Sequence, residues 1–385
     1  MKLHLFNPEN DLALADGGFS YCPPPAAMRI ATELASLPLW YAGAEDVVSL
    51  PDEHILFRNG MADIFDLPEI YNPSMRQSVT SLSPWGWSAQ MRHRFKAMGF
   101  AKELLPSDAG IEKIRNLSSR VLTIDVMAAL RNSGVDTPPL PQYIDNLDNA
   151  VAFVNGCERC VVKAPWSGSG KGIMWGIGRA EEPMVHFCKG VIRRQGGVVC
   201  EHFLNVKTEF AMEFLATASG VEFAGYSLFT AENGAYVGNI LASNEDIESR
   251  ISEYIPLEKI SEVKKCLCDI MRNVLAESGY HGYFGVDMMV YDNGDGCRLN
   301  PCMEINLRMN MGVVSRLFYD RFVCYGSKGI YRVSYFKGNG EACRLHLEMQ
   351  SEHPLEIVNG RVVKGYMNLV PVTPDNNYIA YAIIE

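Results

Sequence analysis

Val161-Val162-Lys163-Ala164-Pro165-Trp166-Ser167-Gly168-Ser169-Gly170-Lys171-Gly172-Ile173 decides how the rest of the chain is read. A short apolar run carrying one lysine leads into a loop of small residues. Such a loop lets backbone N–H groups close around phosphate oxygens with no side chain in the way. Two familiar phosphate loops do not fit. The pattern Gly-x-x-x-x-Gly-Lys-Ser/Thr meets Pro165 where its first glycine belongs and Gly172 where its metal-binding hydroxyl belongs. The dinucleotide fingerprint Gly-x-Gly-x-x-Gly opens a helix, whereas Gly168, Gly170 and Gly172 alternate, as suits an extended hairpin. A plain Gly/Ser hairpin turn is the alternative, and the rest of the chain must discriminate.

With 385 residues, 48% hydrophobic and 21% charged, the chain has the material for two or three domains around sizeable cores. A formal charge of −10 with no clustered Lys and Arg argues against a nucleic-acid surface. The start, Met1 to Asp11, turns polar and acidic after six residues and lacks a signal-peptide core. No stretch approaches the roughly 20 apolar residues of a membrane span. A cytoplasmic protein with no membrane partner is expected. Eleven scattered cysteines fit reduced thiols better than a disulfide framework. Cys157-x-x-Cys160 lacks the second pair that a zinc site needs.

Residues 1–105 read as an α/β unit: a strand at Lys2–Phe6, a polar turn, then a helix from about Pro25 to Leu37. Asn7, Glu9, Asn10 and Asp11 follow the first strand directly, where open α/β sheets bind ligands, so this loop is a candidate substrate site. The alternative is helix capping and Asx turns. Pro84-Trp85-Gly86-Trp87-Ser88 either walls a pocket or sits in the core. A boundary falls near 106. Beyond it come a helix that follows Leu117-Ser118-Ser119-Arg120 and runs to Arg131, a strand at Cys160–Ala164, the glycine loop, and a helix from Ala180 to Gln195 ended by Gly196-Gly197. Strands follow at Val198–Phe203, Glu209–Leu215 and Val221–Phe229, then a long helix from Leu257 to Glu277. Strand-like runs at Arg344–Met349, Glu356–Val363 and Tyr378–Ile384 close the chain.

The acidic counterpart of the loop lies in Gly282–Tyr291 and Cys302–Asn310, which read as a hairpin around Asp292-Asn293-Gly294-Asp295-Gly296. Asp287 stands amid apolar residues, and Glu304 and Asn306 share a strand face. Carboxylates in a buried strand need a partner, and three such oxygen ligands suit Mg²⁺. Register tests this. A two-residue Asn293-Gly294 turn would pair Asp287 with Asn300 and leave Glu304 four residues on, roughly 13 Å away at about 3.3 Å per residue. The metal reading therefore requires a longer, irregular connection extending towards Pro301.

Together these residues resemble the ATP-grasp superfamily over about 106–325. The order Lys163, glycine loop, Glu201, Asp287, Glu304-x-Asn306 carries the resemblance. It implies an α/β (α+β) protein: a pre-ATP-grasp α/β domain (1–105), two ATP-grasp subdomains (106–200 with the glycine loop, 201–330 with the Mg²⁺ site) and a strand-rich C-terminal extension (331–385). By position, Lys163 and Arg120 resemble the family's phosphate-contacting basic residues. Ser167, Gly168, Ser169, Gly170, Lys171 and Gly172 resemble its lid over the phosphates. Glu201 and the backbone near Leu204 match the adenine hinge, and Glu209 the ribose contact. Asp287, Glu304 and Asn306 match the ligands of Mg²⁺, with Mn²⁺ as a substitute. Arg308 matches the arginine beside the reacting acyl phosphate, or else a helix-start salt bridge. Gly285 stands where D-alanine ligases carry arginine. The implied activity is an ATP-dependent carboxylate–amine (or thiol) ligase acting on small molecules through an acyl phosphate, as a monomer or homodimer. A small-molecule kinase on the same scaffold and a non-catalytic nucleotide-binding regulator are the alternatives.

Overall fold

In the front unit, apolar residues at alternate positions make Lys2–Leu5 a strand whose neighbours lie on both sides. The computed structural model describes residues 1–168, 172–232, 235–338 and 340–385. This unit runs β1 (Lys2–Leu5), α1 (Asn10–Asp16), α2 (Pro25–Glu33), β2 (Val47–Val48), α3 (Ile55–Ala62), β3 (Glu69–Ile70), β4 (Ser81–Pro84) and α4 (Ala89–Ala97). Its sheet is parallel in the order β3-β2-β1-β4. The chain works outward from β1 to β3 and returns to the other side for β4, so the strand ends of β1 and β4 flank a switch point. Trp85 packs edge-on against Phe6, and Trp87 lies tilted against Phe95, both indoles buried in the core.

Next come α5 (Asp108–Leu117), α6 (Val121–Asn132), β5 (Gln142–Ile144), α7 (Leu147–Asn155), β6 (Arg159–Lys163), β7 (Ile173–Ile177), α8 (Glu182–Gln195) and β8 (Val198–His202). The strands form an antiparallel sheet in the order β5-β8-β6-β7, with the glycine loop joining β6 to β7. Cys160, Cys188 and Cys200 fill its core with Val154, Val162 and Val191. All the cysteines are free thiols.

The third unit holds β9 (Asn205–Thr217), β10 (Gly220–Ser227), β11 (Phe229–Glu232), β12 (Ala235–Leu241), α9 (Asn244–Ser252), α10 (Leu257–Leu275), β13 (Gly282–Asp292), β14 (Cys297–Asn306) and α11 (Met311–Phe322). The sheet β10-β9-β13-β14 is antiparallel. Strand alternation sorts its faces. Phe284, Val286, Met288 and Val290 join Phe210, Met212 and Phe214 in a core that α6 and α10 complete. The opposite face carries Glu209, Glu213, Asp287, Glu304 and Asn306.

The hairpin corrects the expected long connection. Its turn is only the four residues Asn293 to Gly296, with Asp292 opposite Cys297 and Met289 opposite Asn300. Beyond these pairs Asp287 faces Glu304. Pro301, Cys302 and Met303 thus oppose Met288 alone, and this bulge supplies the two extra residues. The irregularity falls in the strand because Pro301 has no N–H to give the ladder.

The final residues form β15 (Gly329–Tyr335), α12 (Glu341–Glu352), β16 (Glu356–Val358), β17 (Arg361–Asn368) and β18 (Tyr378–Ile384). Arg344–Met349 lies inside α12 and is not a strand. The alternation of Leu345, Leu347 and Met349 mimics one, but Ala342, Leu345 and Met349 at helical spacing face the core while Leu347 is exposed. Residues past 330 do not stand apart as an extension. They complete one sheet, β11-β12-β15-β18-β17-β16, with strands from the third unit. The same core embraces the front domain: Trp40 packs on Phe318 and Phe322, and its indole N–H donates to Leu369 O at 2.6 Å. Among the described residues no helix is long and apolar enough to cross a membrane.

Candidate active site

Lys163 ends β6, and its Nζ lies 2.7 Å from Glu201 on the neighbouring β8. Lys163 is buried and Glu201 half-buried, on the face of this sheet that looks towards the β13–β14 hairpin. Glu201, His202 and Leu204 line a slot closed from the other side by Pro139, Asn300 and Cys302. As it stands the slot encloses about 10 Å³, enough for a water.

Opposite lies the acidic row. Burial pushes the Asp287 carboxyl up to about 7, helped by the Glu304 charge across the strand pair and opposed by the hydrogen bond that Asn306 Nδ2 donates at 3.0 Å. Burial also raises Glu209, while Lys163 acts to lower it. The Cys302 thiol is pushed up by burial first and then by Asp287 and Glu201, against Lys163. Lys163 of one sheet is therefore within electrostatic reach of the row on the other. Among the described residues no group of three or more His, Cys, Asp and Glu side chains converges on one point; the convergent set is two carboxylates and an amide.

Arg120, in the residue before α6, ties the halves together. Its Nη2 donates to both Glu304 oxygens at 2.9 and 3.0 Å, and its Nη1 donates to Ala164 O at 2.8 Å and to Ser167 Oγ. Its backbone N–H reaches Pro165 O at 2.9 Å. Arg308, just past β14, pairs with the front domain: Nε and Nη2 donate to the two Asp11 oxygens, each at 2.7 Å. This fork is itself a salt bridge at a helix start, made with the first turn of α1. Burial acts to lower the Arg308 pKa, but Asp11 holds it above its ordinary value. Gly168 lies against Asp11, since a Cβ there would fall 2.2 Å from Oδ2. Gly172 has φ +68° and accepts from Ala164 N–H at 2.8 Å, closing the loop's base. Ser169, Gly170 and Lys171 lie outside the described residues.

In the front loop, Asn7 donates to Gly86 O at 2.9 Å and accepts from Gly86 N–H at 3.3 Å, so it staples β1 to β4. Glu9 and Asn10 are buried beside it. The structure thus gathers Arg120, Lys163, Ser167, Gly168, Glu201, Leu204, Glu209, Asp287, Glu304, Asn306, Arg308 and Asp11 around one cleft.

Neither family models nor curated proteins match the sequence. Among solved structures, N5-carboxyaminoimidazole synthetase from Staphylococcus aureus complexed with ADP is similar at 12% identity and TM-score 0.50, over 100% of this chain and 93% of that one. N5-carboxyaminoimidazole ribonucleotide synthetase from Thermus thermophilus is similar at 12% identity and TM-score 0.51, over 100% and 94%. The chain has the ATP-grasp fold. At such identity the likeness speaks for the fold.

Within this ATP-grasp fold the structure adds residues that the sequence reading missed. Glu213 faces Gly285 beside the acidic row; burial pushes its carboxyl up to about 8 while Asn310 Nδ2 donates to it at 2.8 Å. A carboxylate amid the apolar Phe210–Leu215 run was its signal, the same signal that marked Asp287. Trp166 is held by Gln195 and by the Arg115 guanidinium 4.2 Å above its ring, anchoring the base of the glycine loop.

Proposed function

We propose that the protein is an ATP-dependent ligase joining a small-molecule carboxylate to an amine or thiol, with the carboxylate activated as an acyl phosphate and ADP and phosphate released. The supporting observation is the opposition of Asp287 and Glu304 to Lys163 across a cleft that ends in the Glu201–Leu204 slot. The donor set fits Mg²⁺. Two carboxylates and an amide on one hairpin face are hard oxygen ligands, and a facing carboxylate pair calls for a cation. In the free protein the Arg120 guanidinium supplies that charge at Glu304.

Asp287, Glu304 and Asn306 would hold Mg²⁺ or Mn²⁺. Lys163, Arg120 and the loop from Ser167 to Gly172 would hold the nucleotide phosphates, Glu201 and Leu204 the base, and Glu209 the ribose. The ADP bound to the S. aureus protein of the same fold agrees with a nucleotide here. When bound, Mg-ATP supplies the phosphoryl group and part of the charge compensation for its transfer. The chain's own contribution is positioning and electrostatics. Arg308, fixed by Asp11, would offset the charge that builds on the reacting carboxylate, while the Asn7–Asp11 loop meets substrate. The protein would act in the cytoplasm on small molecules, as a monomer or homodimer.

Protein given Mg-ATP with pools of small acids and amines or thiols should release phosphate for a matching pair. Glu304→Ala should lose about 100-fold or more in turnover, the scale of removing a transition-state contact. Silence across broad pools, or an unaffected variant, refutes the reading. A phosphorylated acid accumulating without any amine would make the protein a kinase instead.

A further inference from the structure

The front domain carries a polar cluster that the phosphate-side chemistry does not use. Sheet order reverses between β1 and β4, and ligands settle outside the strand ends at such a point. Glu9 and Asn10 leave β1 there, and Gln90 stands in the first turn of α4, which packs against α1. Glu9 is 4% exposed and Asn10 1%. Glu9 Oε2, Asn10 Oδ1, Asn10 Nδ2 and Gln90 Oε1 are all buried with no hydrogen-bond partner among the described residues. Finished cores satisfy such atoms, so several together at a ligand crevice ask for an occupant.

The backbone serves the same end. Asn7 fixes Gly86 from both sides, and Gly86 passes so close beneath Asn10 that a Cβ would fall 2.3 Å from Nδ2. Arg94, one turn after Gln90, is within electrostatic reach of Glu9, as is Tyr21.

The unmet atoms name the ligand. With the Gln90 amide turned oxygen-inward, three are acceptors and one is a donor, and exchanging the Asn10 oxygen and nitrogen leaves that tally unchanged. Three acceptors match the three N–H bonds of a primary ammonium; the donor matches a neighbouring oxygen. An anion would meet mostly oxygen lone pairs. We propose that Glu9, Asn10 and Gln90 form the pocket for a substrate's primary ammonium group, the substrate being an α-amino acid or a similar small acid that carries one. An ammonium held by three acceptors has no lone pair with which to attack, so it is a handle. The adjoining carboxylate would be the reacting group, near Asp11 and Arg308. That last role rests on the ligase reading; the binding chemistry does not.

The test is thermal unfolding with each of the twenty free amino acids at millimolar concentration, their N-acetyl forms as controls, and Mg-ADP as a separate arm. At least one free amino acid should raise the melting temperature by about 2 °C or more, its N-acetyl form should not, and Glu9→Gln and Asn10→Leu should lose the response. The ligand-free variants should melt no lower than the wild type, because unpartnered groups add nothing to stability. A fall of several degrees in the free variants would make these groups structural, satisfied by internal water, and would overturn the proposal. So would silence from all the amino acids, or an equal response to the N-acetyl forms. The Mg-ADP arm on the wild type reads the nucleotide site alone, so its failure would count against the ligase reading and not against the pocket.

Discussion

Asp287→Asn keeps the shape of the acidic row and removes one of its charges. In the free protein burial and the facing Glu304 hold the Asp287 carboxyl up at about 7 against an ordinary 3.8. Between those values the folded form keeps a proton that the unfolded chain has given up. The stability this group contributes is therefore full below 3.8, drains away as pH rises, and is gone above about 7. At 1.36 kcal/mol per unit, the loss between pH 5 and 8 is ~3 kcal/mol. Asparagine never ionises, so the variant escapes it. Without metal, Asp287→Asn should melt above the wild type, with a gap that widens from pH 5 and levels off above about 7. Adding Mg-ADP should reverse the order, because only the wild type then has a cation to neutralise its carboxylate and gains binding free energy. Melting curves at pH 5, 6, 7, 8 and 8.5, with and without 5-fold or greater excess nucleotide, decide this. A gap that stays flat with pH, or a variant less stable than the wild type at pH 8 without metal, would refute the reasoning.

Glu213→Gln should behave in the same sense, because burial first and the Asp287 charge beside it lift that carboxyl up to about 8; a gap from the wild type that stays flat with pH would contradict this. Gly168→Ala should lose at least tenfold in turnover, since its methyl would collide with Asp11 and displace the loop, while the melting temperature hardly moves. Steady-state kinetics check this, and an unchanged kcat would refute it. Arg308→Lys keeps the charge and loses the fork onto Asp11, so kcat should drop about 100-fold with little change in the KM for ATP. Wild-type kcat in the lysine variant would show that the geometry of the guanidinium is irrelevant.

The helices and strands of 106–306 were largely legible because each carries a clear period and a punctuating residue, as Gly196 does after α8 with φ +86°. Arg344–Met349 reads as a strand because a short alternating run fits both periods, and only the core beneath it selects the helix. The hairpin shows the same limit in another form. The chemistry required Asp287 opposite Glu304, but whether the turn or the strand absorbs the extra residues depends on where Pro301 interrupts the ladder. Membership of β11 and β12 in the C-terminal sheet had no local signal at all.

The sequence alone determined which residue types stand where: the lysine strand with its glycine loop, and a carboxylate strand followed by Glu-x-Asn. Those are local patterns, and period and composition express them. Only the tertiary structure decided their partners. Arg120 meets Glu304 across 184 positions of chain, and Asp11 meets Arg308 across 297. No propensity encodes such pairs, because they exist only once separate sheets have packed on common cores and brought distant side chains to hydrogen-bond range.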